Sequence, residues 1–413
     1  MKETLLALQI LLIFFWSYWL IIGMFGFGKT RKLKEKKPQK RFALLIPAHN
    51  EENVIENLLD NLLELDYPKD MYDIVLIADN CNDQTASIGR KKDGVIILEH
   101  TYLESEPKGK PYAIKYALDY FGDNLTSKYD AIAIFDADNL VTLNYLKEMN
   151  NHLVNGERLI QCYLDSKNPN DNWITTAYAT AYYYMNRSWQ LSKSRIGLGN
   201  AIGGTGFCVD TKLIQEIGWT ARSLTEDLEF TMQALLAGVP ATWAHHAKVY
   251  DEKPTGFKFS MIQRLRWARG HWDVCTRYSP KLLYKFIRHG DFKSFDGFLY
   301  LINPGKVVIG TGVSLMLYIS RFTGDNWGGY LVPFWIWLTL LVFNVLYVMY
   351  CIWSDSEQRM DVIQAVICMA IFNYTYIPLF VWGFITQRNK TWKRTEHTRS
   401  ISFGDEAKQT LGG

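Results

Sequence analysis

Paired cysteines are missing from this chain. Its six cysteines, Cys81, Cys162, Cys208, Cys275, Cys351 and Cys368, are scattered singly among 413 residues with no C-x-x-C pair. That spacing excludes a recognisable zinc motif and a disulfide framework, and leaves buried or membrane thiols as the expectation. A dominant charge is missing too. The 45 Lys and Arg against 42 Asp and Glu leave a net charge of +3, which argues against nucleic acid as the main partner. Charge is absent altogether from residues 4–28, 327–353 and 362–386. No small-residue cleavage site follows the first of these runs, which is also too long for the core of a signal peptide.

Aromatic residues are abundant instead, at 15% of the chain with 14 Trp and 24 Tyr. Amphipathic rings settle at membrane interfaces, and flat ring faces also stack on sugars. The length suggests two or three domains.

The run 4–28 is long enough to cross a core of about 30 Å at about 1.5 Å per residue. Directly after it come Lys29, Arg31, Lys32, Lys34, Lys36, Lys37, Lys40 and Arg41. Positive charge stays on the cytoplasmic side, so the helix should run N-terminus out and leave the next segment in the cytosol of a multi-pass plasma-membrane protein. Three more apolar segments cover 299–320, 327–353 and 362–386. The first holds Lys306 and an Asn303-Pro304-Gly305 break, so its crossing should begin near Lys306 with the amine reaching toward headgroups. The last contains Asn373 and Pro378 and reads as a kinked interfacial or re-entrant element. That reading keeps the basic tail (Arg388, Lys390, Lys393, Arg394, Arg399) inside. Three full crossings with the tail outside are the alternative. The expected organisation is a transmembrane helix at 1–28, a cytosolic α/β domain at 29–250, amphipathic interfacial helices at 251–295, membrane segments at 296–387 and a basic tail at 388–413.

Within the α/β domain, apolar runs at 42–47, 72–78, 94–98 and 131–135 read as strands, and residues 54–65 carry helical spacing. Strands alternating with helices imply a mostly parallel, covered sheet. Ligands bind such sheets at the carboxyl ends of the strands, and Asp79 and Asp136 stand just past two of those ends. Pro47-Ala48-His49-Asn50-Glu51 follows the first strand and also reads as a turn with Asn50 as helix N-cap. Asp79-Asn80-Cys81-Asn82-Asp83 follows the second and also reads as an Asx-rich turn. Lys108-Gly109-Lys110 precedes a helix. Asp136-Ala137-Asp138 sets two carboxylates at i and i+2 after an apolar strand, a costly arrangement unless a cation binds. Thr225-Glu226-Asp227 precedes a helical pattern and also reads as a capping box with Ser223 or Thr225 at the cap. Gly203-Gly204-Thr205-Gly206-Phe207-Cys208 permits close backbone approach to a ligand. Gln263-Arg264-Leu265-Arg266-Trp267 lies in a basic, aromatic segment, 257–278, suited to a membrane surface.

These motifs, in this order and beside membrane-length segments, resemble the membrane-embedded processive family 2 glycosyltransferases: cellulose, mixed-linkage glucan, hyaluronan, chitin and poly-N-acetylglucosamine synthases. The resemblance implies a GT-A-like α/β domain that uses a UDP-sugar with Mg²⁺ or Mn²⁺. Pro47, Ala48, Asn50 and Glu51 would line the uridine, Asp79 would bond the uracil, and Lys110 would stand beside base and phosphates. Asp136 and Asp138 would hold the metal and diphosphate. Asp227, with Glu226 and Thr225, would supply the general base. Gly204, Thr205, Gly206 and Phe207 would lie near the acceptor. Gln263 and Arg266 would meet the diphosphate, and Trp267 would stack on the terminal sugar. The form T-E-D, in place of G-D-D-R or G-E-D-R, leans toward glucan, mannan or poly-N-acetylglucosamine synthesis.

The implied function is inverting, metal-dependent, processive β-glycosyl transfer from UDP-glucose into a cellulose-like or mixed β-1,3;1,4-linked glucan fed into the bilayer. Accessory membrane or secretion proteins are the implied partners. Addition of one sugar to a lipid is the alternative, and a catalytically inactive scaffold or channel subunit is the alternative of another class. The chain departs from cellulose synthases in having one N-terminal membrane helix and no room for a cyclic-dinucleotide sensor. The segment Trp392-Lys393-Arg394-Thr395-Glu396-His397 resembles gating loops only loosely and reads equally as a solvated tail.

Overall fold

The computed structural model describes residues 2–102, 107–323 and 332–391. The described residues divide into two compact units: Lys29–Pro169 with Leu198–Pro254 and residues 390–391, and residues 2–28 with Asn170–Gly197 and Thr255–Asn389. The segment 392–397 lies outside the described residues.

The first unit is an α/β domain on one eight-stranded sheet. Its strands are β1 (Phe42–Ala48), β2 (Tyr72–Asp79), β3 (Val95–His100), β4 (Ala131–Ile134), β5 (Leu140–Val141), β6 (Leu159–Ser166), β7 (Phe207–Asp210) and β8 (Thr242–Asp251). They lie in the order β3-β2-β1-β4-β7-β6-β8-β5. β1, β2 and β4 are unbroken apolar runs because both faces of the sheet are covered. Ala43, Leu45, Val75, Ile77, Ile132 and Ile134 alternate onto one face, where they meet Ala113, Ile114, Ala117 and Phe121 of the helix Lys110–Phe121. Each such fully buried aliphatic side chain contributes about 1.5–3 kcal/mol.

The half β3-β2-β1-β4 is parallel, as expected. The other half is mixed: β7 runs antiparallel to both β4 and β6, and β5 antiparallel to β8, while β6 and β8 pair in parallel. The reversal was not legible because β5 and β7 span two and four residues, too few to show a period of two.

The second unit is helical. Its helices are Lys2–Met24, Trp173–Met185, Ser192–Arg195, Phe257–His289, Phe292–Leu301, Asn303–Thr323, Phe334–Asp355, Val362–Tyr374 and Tyr376–Ile385. Three helices, Glu3–Met24, Phe334–Asp355 and Val362–Ile385, are long and apolar enough to cross a membrane, and Phe292–Leu301 with Asn303–Ile319 forms a pair bent by 50°. Trp335, Leu341 and Leu346 are 65%, 51% and 59% exposed, as suits side chains bathed in acyl tails rather than packed in a core. The last segment, expected to be kinked at Asn373 and Pro378, is one candidate span, Val362–Ile385, whose two helices part only at Thr375 and which keeps Pro378 inside the second. The sharp bend lies instead next to Asn303-Pro304, where Pro304 stands in the first turn and removes a backbone donor.

Residues 170–197 belong to this helical unit although they interrupt the α/β domain in sequence. Asn172 and Thr175 form a capping box that starts the helix Trp173–Met185. That helix passes into a π-turn at Asn186–Leu191. Arg187, inside the turn, pairs with Asp355 at the end of Phe334–Asp355, the two side chains being 4% and 2% exposed. Arg187 Nη1 also donates to the Gly26 carbonyl at 2.9 Å. A second buried pair, Lys193–Asp296, closes at 2.6 Å. Removing one partner of such a pair strands the other charge. Arg187→Met is therefore expected to lower stability by about 3–5 kcal/mol, read as a fall in thermal unfolding temperature in detergent. Adding Asp355→Leu should recover part of that loss.

Candidate functional site

The loops after β1 and β2 meet at the carboxyl end of the sheet. Asn50 and Asn80 both adopt left-handed backbone, φ 58° and 52°, a conformation that Asn tolerates better than most residues. The Asn82 N–H donates to Asn50 Oδ1 at 2.8 Å and the Glu51 N–H to Thr85 Oγ1 at 2.8 Å. The neighbouring helix Ile55–Leu63 has Val54 at its N-cap position, so Asn50 ties the two loops together rather than capping that helix. Pro47 and Ala48 are the last residues of β1, in register with Ile77 and Ala78. Asp79, at the end of β2, is 6% exposed. Burial pushes its carboxyl upward, and hydrogen bonds from His100 and Tyr102 oppose that shift.

Asp136 and Asp138 follow β4. The Asp136 N–H donates to Asn139 Oδ1 and to Thr205 Oγ1, each at 3.0 Å. Asp138 is 5% exposed, and its Oδ2 accepts from the Glu252 N–H at 3.2 Å. The Lys110 ammonium pairs with Asp136, donates to the Gly204 carbonyl at 2.7 Å, and lies 3.9 Å from Glu226. Desolvation works against that charge, but Asp136 and Glu226 outweigh it and hold Lys110 above the usual lysine range. The carboxylates therefore already organise a cation at this point of the sheet.

Among the described residues no three His, Cys, Asp or Glu side chains gather as a self-sufficient metal cage. Two hard carboxylates fit a small divalent ion that completes its shell with substrate phosphates and water.

Thr225-Glu226-Asp227 opens the helix Glu226–Leu236, placing Glu226, Asp227 and Glu229 in its positive first turn. The capping-box reading is corrected. Thr225 Oγ1 is buried without a hydrogen-bond partner, and Glu229 Oε2 instead accepts from the N–H groups of Arg222 and Ser223 at 3.0 and 2.8 Å. Gly204, at φ +82°, brings bare backbone to Asp227: a Cβ there would sit 3.4 Å from Asp227 Oδ2. Lys110, Asp136, Gly204, Glu226 and Asp227 thus form one cluster. The acceptor reading is corrected for one side chain: Phe207 is 1% exposed and belongs to the apolar core, because strand alternation turns it away from the loop. Thr205, 3% exposed, serves the Asp136 N–H.

Two groups escaped sequence reasoning here. Asp251, the last residue of β8, is held by Lys253 at 2.6 Å. Burial pushes its carboxyl up; Lys253 opposes this, and Asp138 and Asp136 add to it. The triplet Asp251-Glu252-Lys253 after an alternating strand was the available signal.

Gln263, Arg266 and Trp267 lie on the helix Phe257–His289 of the helical unit. Gln263 Oε1 accepts from Tyr178 OH at 3.1 Å. Trp267 packs edge-on to Tyr178 at 6.2 Å, against a cluster that includes Ile174 and Phe372. Arg264 in the same motif is fully buried. It stacks on Phe372 and Tyr376 at 4.0 and 4.8 Å and donates to Thr375 Oγ1 at 2.6 Å, so it braces the break at Thr375.

A sequence model of the family described as "Glycosyltransferase like family 2" matches residues 38–270. The chain is 26% identical over 286 residues to a beta-monoglucosyldiacylglycerol synthase of Nostoc sp., covering 68% of this chain and 58% of that protein. It is 25% identical over 283 residues to a poly-beta-1,6-N-acetyl-D-glucosamine synthase of Staphylococcus aureus, covering 64% and 65%. The aligned part thus spans less than two thirds of these curated relatives. Among solved structures, a mannosyltransferase of Pyrobaculum calidifontis, in complex with GDP-Man and Mn²⁺, superposes with a TM-score of 0.58 at 18% identity, covering 90% of this chain and 98% of that one. At that identity the likeness establishes the fold: GT-A-like, with a mixed sheet.

Gly206 offers a direct test of the loop. At φ +62°, an added Cβ would lie 2.4 Å from Cys162 Sγ and 2.8 Å from Val249 Cγ2. Gly206→Ala should cost about 2–4 kcal/mol of stability, measured by thermal unfolding. Gly197→Ala, where an added Cβ meets nothing within 4 Å, should cost less.

Proposed function

The chain belongs to the glycosyltransferase-like family 2, and on that premise we propose that it is an inverting β-glycosyltransferase using a UDP-sugar, UDP-glucose first, to extend a polysaccharide at a membrane. The observation that carries this reading is the cluster of Lys110, Asp136, Gly204, Glu226 and Asp227 at the carboxyl end of the sheet.

Asp227 accepts the proton of the acceptor hydroxyl as that oxygen bonds to the anomeric carbon, and the bond from that carbon to the diphosphate breaks on the opposite face, releasing UDP. Asp136 and Asp138 would hold a divalent cation, whose chemistry there is to neutralise charge growing on the leaving diphosphate. Lys110 adds a second positive charge beside it. Pro47, Ala48, Asn50, Glu51 and Asp79 form the nucleoside side of the pocket. The backbone of Gly204-Thr205-Gly206 faces the acceptor. Gln263, Arg266 and Trp267, on the helical unit, would serve the diphosphate and sugar by the motif resemblance alone, with Arg266 suited to a forked grip on phosphate. The basic run 29–41 supports a cytosolic catalytic unit, and the three candidate spans support a multi-pass protein.

The same machinery serves a single transfer to a lipid. The Nostoc relative, named a glucosyldiacylglycerol synthase, favours that second reading, whereas the Staphylococcus relative, named a poly-N-acetylglucosamine synthase, favours polymerisation.

The detergent-solubilised chain, with Mg²⁺ or Mn²⁺ and radiolabelled UDP-glucose or UDP-N-acetylglucosamine, separates these readings. High-molecular-weight product from UDP-glucose, cut by a linkage-specific glucanase, supports the glucan reading. Label confined to the lipid-soluble fraction sinks processivity. Asp227→Asn should lower turnover by at least about a hundredfold while UDP still binds. Unchanged turnover would remove Asp227 from the mechanism.

A further inference from the structure

We propose that His100 and Tyr102 are positioning residues for nucleobase recognition: they orient the Asp79 carboxylate to accept the imide N–H of uracil, and so set a preference for uridine over cytidine diphosphate. The inference deepens the nucleotide-sugar reading above and rests on it.

Asp79 ends β2 and His100 ends β3, and the two are register partners in parallel strands. Register partners project to the same face, so the strand ends deliver both side chains to one spot. His100 Nδ1 lies 3.0 Å from Asp79 Oδ1, and Tyr102 OH donates to Asp79 Oδ2 at 3.1 Å. The terminal torsion of an aspartate is otherwise broad. One donor on each oxygen fixes the plane of the carboxylate. An ionised carboxylate offers about four acceptor directions, so capacity remains for one more N–H.

The orienting groups are themselves held. The His100 ring stacks on Tyr116 at 4.1 Å and meets Tyr102 edge-on at 4.5 Å. Tyr116 belongs to the helix Lys110–Phe121, whose first residue pairs with Asp136. One helix therefore braces both the base side and the phosphate side of the pocket. The two donors also favour the ionised form of Asp79 against the upward push of burial, and only the ionised form is purely an acceptor.

Uracil presents an N–H at ring position 3 where cytosine presents a lone pair. A fixed carboxylate attracts the first and repels the second. A buried carboxylate needs hydrogen-bond partners in any case. If His100 and Tyr102 merely satisfied it, their loss would weaken all nucleotides alike.

The test is calorimetric titration of the full chain in detergent with UDP, CDP and GDP, in Mn²⁺, for wild type, His100→Leu, His100→Asn and Tyr102→Phe. Thermal unfolding confirms that each variant is folded. Wild type should prefer UDP over CDP by about tenfold or more, the worth of one hydrogen bond to a charged group. His100→Leu should bring the UDP:CDP ratio close to one. His100→Asn, whose amide nitrogen replaces Nδ1, should keep most of the ratio, and Tyr102→Phe should lose part of it. A ratio unchanged in every variant, or an equal loss for UDP and CDP in His100→Leu, overturns this inference and leaves the nucleotide-sugar reading standing. A wild type that binds none of the three overturns both. A wild type that prefers GDP overturns the uridine specificity proposed here and the UDP-sugar donor with it.

Discussion

Mutual repulsion among carboxylates is the constraint around which the α/β unit is built. Asp136, Asp138, Glu226, Asp227 and Asp251 come from the loop after β4, the start of one helix and the end of β8, and meet at one end of the sheet. Such a cluster is unfavourable unless positive charge enters it. Lys110 and Lys253 supply part of that charge, and backbone N–H groups supply more, Glu252 to Asp138 among them. Oxygen ligands gathered around an amine in this way are the arrangement on which the proposed divalent-ion and diphosphate site rests.

Glycine makes the cluster geometrically possible. Gly204 and Gly206 stand at positive φ, one against Asp227 and the other against Cys162 and Val249. Backbone, rather than side chains, fills the space beside the carboxylates. Thr205 can then turn inward to hold the Asp136 amide.

The helical unit answers a different problem, that of anchoring charged residues among apolar helices. It does so with closed pairs. Arg187–Asp355 and Lys193–Asp296 each neutralise a buried charge, and aromatic rings cover the cations, Tyr350 over Arg187 and Trp19 with Tyr300 over Lys193. Arg264 repeats the device without a carboxylate, stacking on two rings while bonding the residues around Thr375.

Much of this was legible in the chain because it is local. Charge-free runs announce membrane-length helices, unbroken apolar runs announce β1, β2 and β4, and short acidic motifs announce the carboxylate cluster. Neither the reversal at β7 nor the membership of residues 170–197 in the helical unit leaves a periodic trace, since both are settled by what the segments pack against. The same holds for single side chains. Thr205, in the glycine-rich loop, and Phe207, which opens β7, are two residues apart, and the left-handed turn at Gly206 with the pairing of β7 sends one to Asp136 and the other into the core. His100 and Tyr102 reach Asp79 across 21 and 23 residues of chain, through strand register that no local pattern encodes. Residue chemistry along the chain thus determined the elements, the family and the carboxylates. Long-range packing decided which donors hold those carboxylates, because hydrogen bonds follow distance in space, and folding brings together residues that sequence keeps apart.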